Sequence, residues 1–292
     1  QGSPIVCVAG PTASGKTKLG VLLAQHYGGE IVSADSMQIY RGMVIGTAAP
    51  TPEEMEGIPH HMIGIADPRE AWSAGRYARA AIPVVEDILS RGKLPIVVGG
   101  AVREAMEGEL RSGGMAPLLA ELRRVDPASA EKLHPSDEKR ILRALEVYRE
   151  TGKPLSQWNA EEAARPPRYD AVTIALRWRD RERQRALIDQ RVDEMVAQGL
   201  LEEVRTLLAS VPRGATALQA IGYKEFLGVL DGTCTEAEAI GMVKLRSRQY
   251  AKRQLTWLRR KEDIHWILWE KTPDFPAGLQ NATEYLLAQG LG

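Results

Sequence analysis

The chain has 292 residues, 44% hydrophobic and 26% charged, which suits one large folded domain or a main domain carrying a smaller insert. Its formal net charge is zero, and its two cysteines, Cys7 and Cys234, lie far apart in the sequence and support neither a disulfide framework nor a zinc site. No apolar run approaches membrane-spanning length and no basic segment followed by an apolar core opens the chain, so the expectation is a cytoplasmic protein with no membrane partner.

In chain order, Ile5 to Ala9 is a short apolar run rich in β-branched residues and closed by Gly10, the pattern of a buried parallel strand. A helix is predicted next, because Leu19, Leu22, Leu23 and His26 recur at helical spacing before Gly28-Gly29. Glu30 to Ala34 reads as a second strand ending at Asp35, and Leu94 to Val98 as a third ending at Gly99-Gly100. In an open parallel sheet ligands sit outside the carboxyl ends of the strands, so Gly10, Asp35 and Gly99 are expected to meet at one cleft. The adjacent His60-His61 pair has no evident carboxylate partner and is assigned a structural role.

The second half reads as mostly helical, over Asp137 to Glu150, Asp180 to Ala209 and Thr235 to Arg260, with turn chemistry at Pro166-Pro167, Pro212 to Gly214 and Asp231-Gly232. These signals divide the chain into a core over 1–101, a small helical insertion domain over 102–165, and the rest of the core with further helices over 166–292. Charge is unevenly placed: Lys244 to Lys261 holds eight basic residues and no acidic one, with Tyr250 and Trp257 interleaved. That cluster, with Arg140 and Arg143, predicts a phosphate-binding surface for nucleic acid despite the neutral total. Trp257, Trp266 and Trp269 are assigned to the core.

Gly10-Pro11-Thr12-Ala13-Ser14-Gly15-Lys16-Thr17 fits the phosphate-loop pattern, and its placement between a strand and a helix fits the mechanism of that pattern. Backbone N–H groups and the helix dipole face an anion, Lys16 supplies a full positive charge, and Thr17 places its hydroxyl near a magnesium ion. The loop alone does not choose among phosphate compounds. Asp35, just past the second strand, faces the same cleft, and position alone leaves it as a general base, a helix cap or a member of a magnesium shell.

These segments, with Ser33 to Pro50, Ile58 to Ile65, Leu94 to Gly100, Arg143 to Tyr148, Ala217 to Lys224 and Ala251 to Trp257, together resemble the bacterial tRNA dimethylallyltransferases across nearly the whole chain. The resemblance implies a P-loop NTPase-like parallel sheet flanked by helices, with a mostly helical C-terminal half and a small helical insertion domain. It implies magnesium, dimethylallyl diphosphate as donor, and the adenosine beside the tRNA anticodon as acceptor, in a protein expected to be monomeric. It also implies residue roles: Asp35 as general base, Lys16 and Arg191 on the leaving diphosphate, and Gly10 to Thr17 as the diphosphate loop. Asp35, Ser36, Met37 and Gln38 match a tRNA-contacting stretch, as do Lys139, Arg140, Ile141, Leu142 and Arg143, and Gln219, Ala220, Ile221, Gly222, Tyr223 and Lys224. Arg103 matches an arginine near the substrate.

Two departures stand out. After Val98-Gly99-Gly100 the family has a threonine that contacts the reacting groups, whereas this chain continues Ala101-Val102-Arg103 and is shorter by about twenty residues. Ala49 stands where many relatives carry lysine. Other readings of the same loop are a small-molecule kinase, a prenyltransferase of free adenine nucleotides, and a nucleic-acid-binding regulator switched by nucleotide; transfer of a phosphoryl group, or indifference to tRNA, marks the first two.

Overall fold

The structure, a computed structural model, describes residues 3–100, 115–134, 136–164 and 168–292. Arg103 and the shortened stretch after Gly100 lie outside the described residues. The chain divides into two compact units, one formed by Gln1–Met106 with Tyr169–Gly292 and the other by Glu107–Arg168.

The first unit is built on a six-stranded parallel sheet of β1 (Ser3–Ala9), β2 (Glu30–Ser33), β3 (His60–His61), β4 (Pro95–Gly99), β5 (Tyr169–Trp178) and β6 (Ile264–Trp269). Their spatial order is β3-β2-β4-β1-β5-β6. The strand β1 is flanked on both sides, pairing Ala9 with Gly99 of β4 and with Ala175 of β5, which is why its apolar run is nearly continuous. Alternation along the strands sends Val6, Val8, Ile96, Val98, Ile174 and Leu176 to one face. There they meet Leu19 and Leu23 of α1 (Lys16–Tyr27) and Ala282 and Leu286 of α12 (Phe275–Ala288).

The opposite face presents Ile5 and Val32 to α3 (Ala74–Ser90) and to a helical layer of α8 (Arg181–Ala197), α9 (Leu200–Leu208), α10 (Tyr223–Leu230) and α11 (Glu236–Leu258). The short helix α2 (Pro52–Met55) lies between β2 and β3 in the chain. The second half is thus less purely helical than its sequence suggests, since β5 and β6 extend the sheet beyond β1. The predicted helix over Asp180 to Ala209 is also two helices, because Gly199 takes a left-handed conformation (φ 102°) that ends one and starts the next.

The second unit comprises α4 (Met115–Val125), α5 (Pro127–Ala130), α6 (Glu138–Thr151) and α7 (Leu155–Ala164). Leu119, Leu122, Ala130, Ile141, Ala144 and Leu145 form its own core. Buried Asp126 ties it together, its carboxylate accepting from the Ser129 N–H (3.1 Å), the Ser129 hydroxyl (2.7 Å) and the Ser156 N–H (2.9 Å). Among the described residues no helix is long and apolar enough to cross a membrane.

Candidate active site

From the end of β1, Gly10 to Gly15 lead directly into α1. A side chain at Gly10 has no room, since a Cβ there falls 2.5 Å from Ser14 Oγ and 2.9 Å from the Leu176 carbonyl oxygen. Gly15 is left-handed (φ 83°), and so is Ala13 (φ 59°), a conformation that costs a residue bearing a Cβ about 1–2 kcal/mol. Two indoles hold this loop from the sheet side: Trp178 Nε1 donates to the Ala13 carbonyl at 3.1 Å and Trp269 Nε1 to the Ser14 carbonyl at 2.8 Å. At the amino end of α1 the N–H groups of Gly15, Lys16 and Thr17 have no hydrogen-bond partner among the described residues. Those are the donors that a helix start offers an anion.

The sheet brings the three predicted strand ends together. Ala34 N–H donates to the Val98 carbonyl at 2.8 Å, and a Cβ on Gly99 falls 2.8 Å from the Ala34 carbonyl oxygen, so β2 and β4 touch where each ends. A Cβ on Gly100 falls 2.2 Å from Nε2 of Gln254 in α11, a buried residue whose Oε1 has no hydrogen-bond partner among the described residues. Asp35 emerges at this point. Its Oδ1 accepts from the N–H groups of Met37 (2.8 Å) and Gln38 (3.1 Å), while Oδ2 has no hydrogen bond among the described residues. The capping bonds thus use one oxygen of the Asp35 carboxylate only.

Lys16 and Arg191 face the same ground. Withdrawal from water pulls the Lys16 ammonium down to about 8, with the Arg191 charge adding to the fall and the Asp35 carboxylate opposing it. Arg191 is likewise lowered, first by withdrawal from water, against the carboxylates of Glu54, Glu194 and Asp35. Neither cation forms an ion pair among the described residues, and the hydrogen bond Lys16 makes is to the Pro11 carbonyl at 3.3 Å. Tyr77 of α3 closes one side, its hydroxyl donating to the Ser33 carbonyl at 2.6 Å; burial and then the Asp35 charge push that phenol up, so it stays neutral.

A second layer holds the segment that carries Asp35. The Gln38 side chain accepts from Ser33 Oγ (3.1 Å) and donates to the carbonyls of Thr47 (3.1 Å) and Ala48 (3.3 Å). The 44–46 turn is in turn gripped by Glu203 of α9, whose carboxylate accepts from the N–H groups of Val44, Ile45 and Gly46 at 2.8–3.3 Å. The hydroxyl of Tyr223 donates to the same carboxylate, and its ring leaves no room for a Cβ on Gly46.

These bonds alter how several predicted contacts act. Tyr223 is fully buried and Ala220 and Ile141 are buried, so their side chains hold their segments in place and do not present themselves to RNA. The Gln38 amide is occupied internally. Gln219 is exposed, although its Nε2 donates to the Arg213 carbonyl at 3.1 Å, and Ser36, Met37 and Ile221 are partly exposed. Lys224 is partly exposed, while Gly222 is buried at the start of α10. On α6 of the other unit, Lys139 to Arg143 occupy the first turns, with Arg140 exposed and Leu142 and Arg143 partly so; Arg143 lies 3.8 Å from Glu146. The sequence showed no carboxylate partner for the histidine pair, but His61 Nε2 bonds buried Glu30 at 2.7 Å, while His60 Nδ1 bonds the Ile58 carbonyl at 2.8 Å; these bonds suit the structural role assigned to the pair. Ala49 is buried.

The basic stretch from Lys244 to Lys261 is the largest correction. Lys244 pairs with Asp193, Arg246 with buried Glu225 and Arg248 with Asp189, so the amino-terminal part of the stretch is neutralised by α8 and α10. Exposed Lys252, Arg259 and Arg260 form no ion pair among the described residues, which narrows the basic surface to the carboxyl-terminal end of α11 and the turn after it. Residues that sequence reasoning missed are Glu203, Tyr77, Trp178 and Trp269. Each acts through a partner far away in the chain, and the local pattern of each is that of an ordinary helix or strand residue.

No group of three or more histidine, cysteine or acidic side chains fit to hold a metal occurs among the described residues. A magnesium ion bound mainly through diphosphate oxygens needs few protein ligands, and the Thr17 hydroxyl, which has no hydrogen-bond partner among the described residues, fits that donor set.

Fold and cleft define a phosphate-loop α/β protein in which a carboxylate and two cations, without ion pairs among the described residues, meet beside the loop. The chain matches the family described as IPP transferase over residues 38–261 and that described as isopentenyl transferase over residues 4–67. It is 42% identical to a tRNA dimethylallyltransferase of Caldanaerobacter subterraneus subsp. tengcongensis, across 97% of both chains. That alignment spans 305 positions for 97% of 292 residues, so about twenty positions face gaps, in keeping with the shortfall read from the sequence. Among solved structures it resembles the tRNA isopentenylpyrophosphate transferase of Staphylococcus epidermidis (36% identity, TM-score 0.73, covering 98% of this chain and 99% of that one). It also resembles a eukaryotic dimethylallyltransferase acting on tRNA (32% identity, TM-score 0.79, covering 98% of this chain and 78% of that one). The chain belongs to the IPP transferase family, that of the tRNA dimethylallyltransferases, and is a prenyltransferase of that family.

Proposed function

We propose that this chain transfers a dimethylallyl group from dimethylallyl diphosphate to N6 of the adenosine 3′ of the anticodon in tRNA, releasing diphosphate, and that it works as a cytoplasmic monomer. The observation that carries the chemistry is the meeting of Lys16, Arg191 and Asp35 beside the loop, where among the described residues both cations lack ion pairs and one carboxylate oxygen lacks a hydrogen bond.

The exocyclic amine of adenine is a weak nucleophile because its lone pair is delocalised into the ring. As N6 attacks the allylic carbon, the C–N bond forms and the carbon–oxygen bond to diphosphate breaks, and the N6 proton passes to Asp35 Oδ2. Hydrogen bonds from Met37 and Gln38 to Oδ1 fix the orientation of that carboxylate. Negative charge growing on the departing diphosphate is met by Lys16, Arg191 and the N–H groups at the start of α1, donors that are already in place and need no reorganisation. The Thr17 hydroxyl would hold magnesium, which supplies further neutralisation of the diphosphate when bound. Bases in RNA loops are splayed out more easily than paired ones, which suits an acceptor that must enter a strand-end cleft.

The test is mass spectrometry of nucleosides from unmodified tRNA incubated with the protein, magnesium and dimethylallyl diphosphate, beside Asp35→Ala. A dimethylallyl-adenosine product lost in the variant is expected. ATP consumption with no prenylated nucleoside would overturn the proposal in favour of a kinase.

A further inference from the structure

We infer that Trp178 and Trp269 are positioning residues for the diphosphate loop: their indole N–H groups fix the orientation of the two peptide groups that present N–H donors to the anion. The inference rests on the reading of Gly10 to Thr17 as a diphosphate cradle and adds the groups that hold the cradle in its binding shape.

Trp178 and Trp269 are the last residues of β5 and β6 and pair directly with one another, so both side chains project from the same face of the sheet at its carboxyl edge. Both are buried, and each points its single donor at a loop carbonyl, Ala13 and Ser14 respectively. An indole has one donor and no acceptor, so nothing else in the ring can satisfy the contact. Every described peptide bond is trans, and a trans peptide carries its N–H on the side opposite its carbonyl. Anchoring the carbonyls of Ala13 and Ser14 toward the indoles therefore turns the N–H groups of Ser14 and Gly15, which share those peptide planes, away from the sheet and toward the cleft side of the loop.

The surroundings keep the Trp269 ring in place. Phe275 packs edge-on against it, ring centroids 5.5 Å apart, and the same Phe275 ring lies 3.0 Å from where a Cβ on Gly15 would be. On α12, Gly278 approaches so closely that a Cβ there falls 2.6 Å from Trp269 Cη2. The absence of a side chain at Gly278 thus sets the height of the indole under the loop, although Gly278 itself is a helix residue of the opposite end of the contact. Ala13, held left-handed without the freedom of glycine, is the residue whose conformation the Trp178 bond supports.

The experiment titrates the full-length protein and its variants with inorganic diphosphate in magnesium buffer, following intrinsic tryptophan fluorescence and, independently, heat release, with tRNA affinity measured alongside. Trp269→Phe and Trp178→Phe keep an aromatic ring and lose the donor; Gly278→Ala keeps both donors and displaces the Trp269 ring. Each is expected to weaken diphosphate binding about five- to tenfold, the scale of one lost hydrogen bond, with tRNA affinity unchanged and Trp257→Phe binding diphosphate as the unaltered protein does. A merely structural role would lower the unfolding temperature and leave diphosphate affinity of the folded variants intact, and that result overturns the inference. Should one variant fail to fold, the other two carry the same test. Unaltered protein that binds no diphosphate would instead overturn the cradle reading itself, and the positioning role with it.

Discussion

Two groups of cations distinguish the parts of this molecule. Along the amino-terminal part of α11, Lys244, Arg246 and Arg248 each pair with a carboxylate of a neighbouring helix, whereas beside the cleft Lys16 and Arg191 form no ion pair among the described residues. A run of positive residues is therefore a poor guide to where positive charge is available. The α11 cations join helices to one another. The cleft cations are withdrawn from water without a direct ion pair among the described residues, and the nearby carboxylates only partly offset that cost, which is why both are less basic than they would be in water. Retaining such groups makes sense where a ligand supplies the missing negative charge.

The contrast is broken most directly by removing the cleft groups. Lys16→Ala is expected to lower kcat/KM for dimethylallyl diphosphate about 10²- to 10³-fold, the scale of one lost electrostatic donor at a leaving group. Asp35→Asn keeps an amide oxygen for the Met37 and Gln38 N–H groups but removes the proton acceptor, so kcat is expected to fall about 10²- to 10⁴-fold with tRNA affinity and unfolding temperature little changed. Steady-state assays with each substrate varied in turn check both. A loss confined to tRNA affinity would place Asp35 in the binding surface alone.

The depressed basicity of Lys16 gives a pH signature of the next size. The ammonium is charged below about 8 and loses its proton above it. In the free protein, kcat/KM for the diphosphate donor is therefore expected to be level below that pH and to fall toward tenfold per unit above it. Bound diphosphate holds the proton on Lys16, so kcat at saturation should bend at higher pH or not at all. A kcat/KM profile flat to pH 10 would show that the Lys16 charge is not needed for capture.

The α11 cations should answer in stability. Arg246→Ala leaves the nearly inaccessible Glu225 carboxylate with the Gly222 N–H (2.7 Å) and without its counter-ion. A broken buried pair costs roughly 3–5 kcal/mol, and because the Arg246 side chain is 38% exposed, a discounted loss of about 2 kcal/mol is expected in urea unfolding. Catalytic constants of the folded variant should stay near those of the unaltered protein.

How much of this was legible in the sequence depends on how locally each feature is encoded. The phosphate loop was, because glycine spacing, lysine and the following helix lie within one short stretch, and so was the meeting of Gly10, Asp35 and Gly99, which follows from parallel strands alone. Strands β5 and β6 were hidden among helical segments, and with them the two tryptophans at their ends. That Arg191 lies near Lys16 and Asp35 could be expected only from family resemblance, since nothing in its own helix marks it apart from the other arginines there. The basic stretch misled because the acids that neutralise it, Asp189, Asp193 and Glu225, stand on other helices. Tyr223 misled for the same reason: its partner Glu203 lies on α9, and only the fold shows that the pair faces inward.

The smallest expected effect tests what remains of the basic surface. If exposed, unpaired cations meet RNA phosphates, then Lys252→Gln and Arg259→Gln should each reduce the slope of log affinity for tRNA against log salt by about one, with a modest loss of affinity at low salt. Lys244→Gln, whose ammonium is already matched by Asp193, should leave the slope unchanged. Measuring all three by filter binding across a salt series separates charge that is merely present from charge that is available. Equal effects from Lys244 and Lys252 would mean that RNA binding pulls the α11 ion pairs apart, and the division drawn between the two groups of cations would then describe only the free protein.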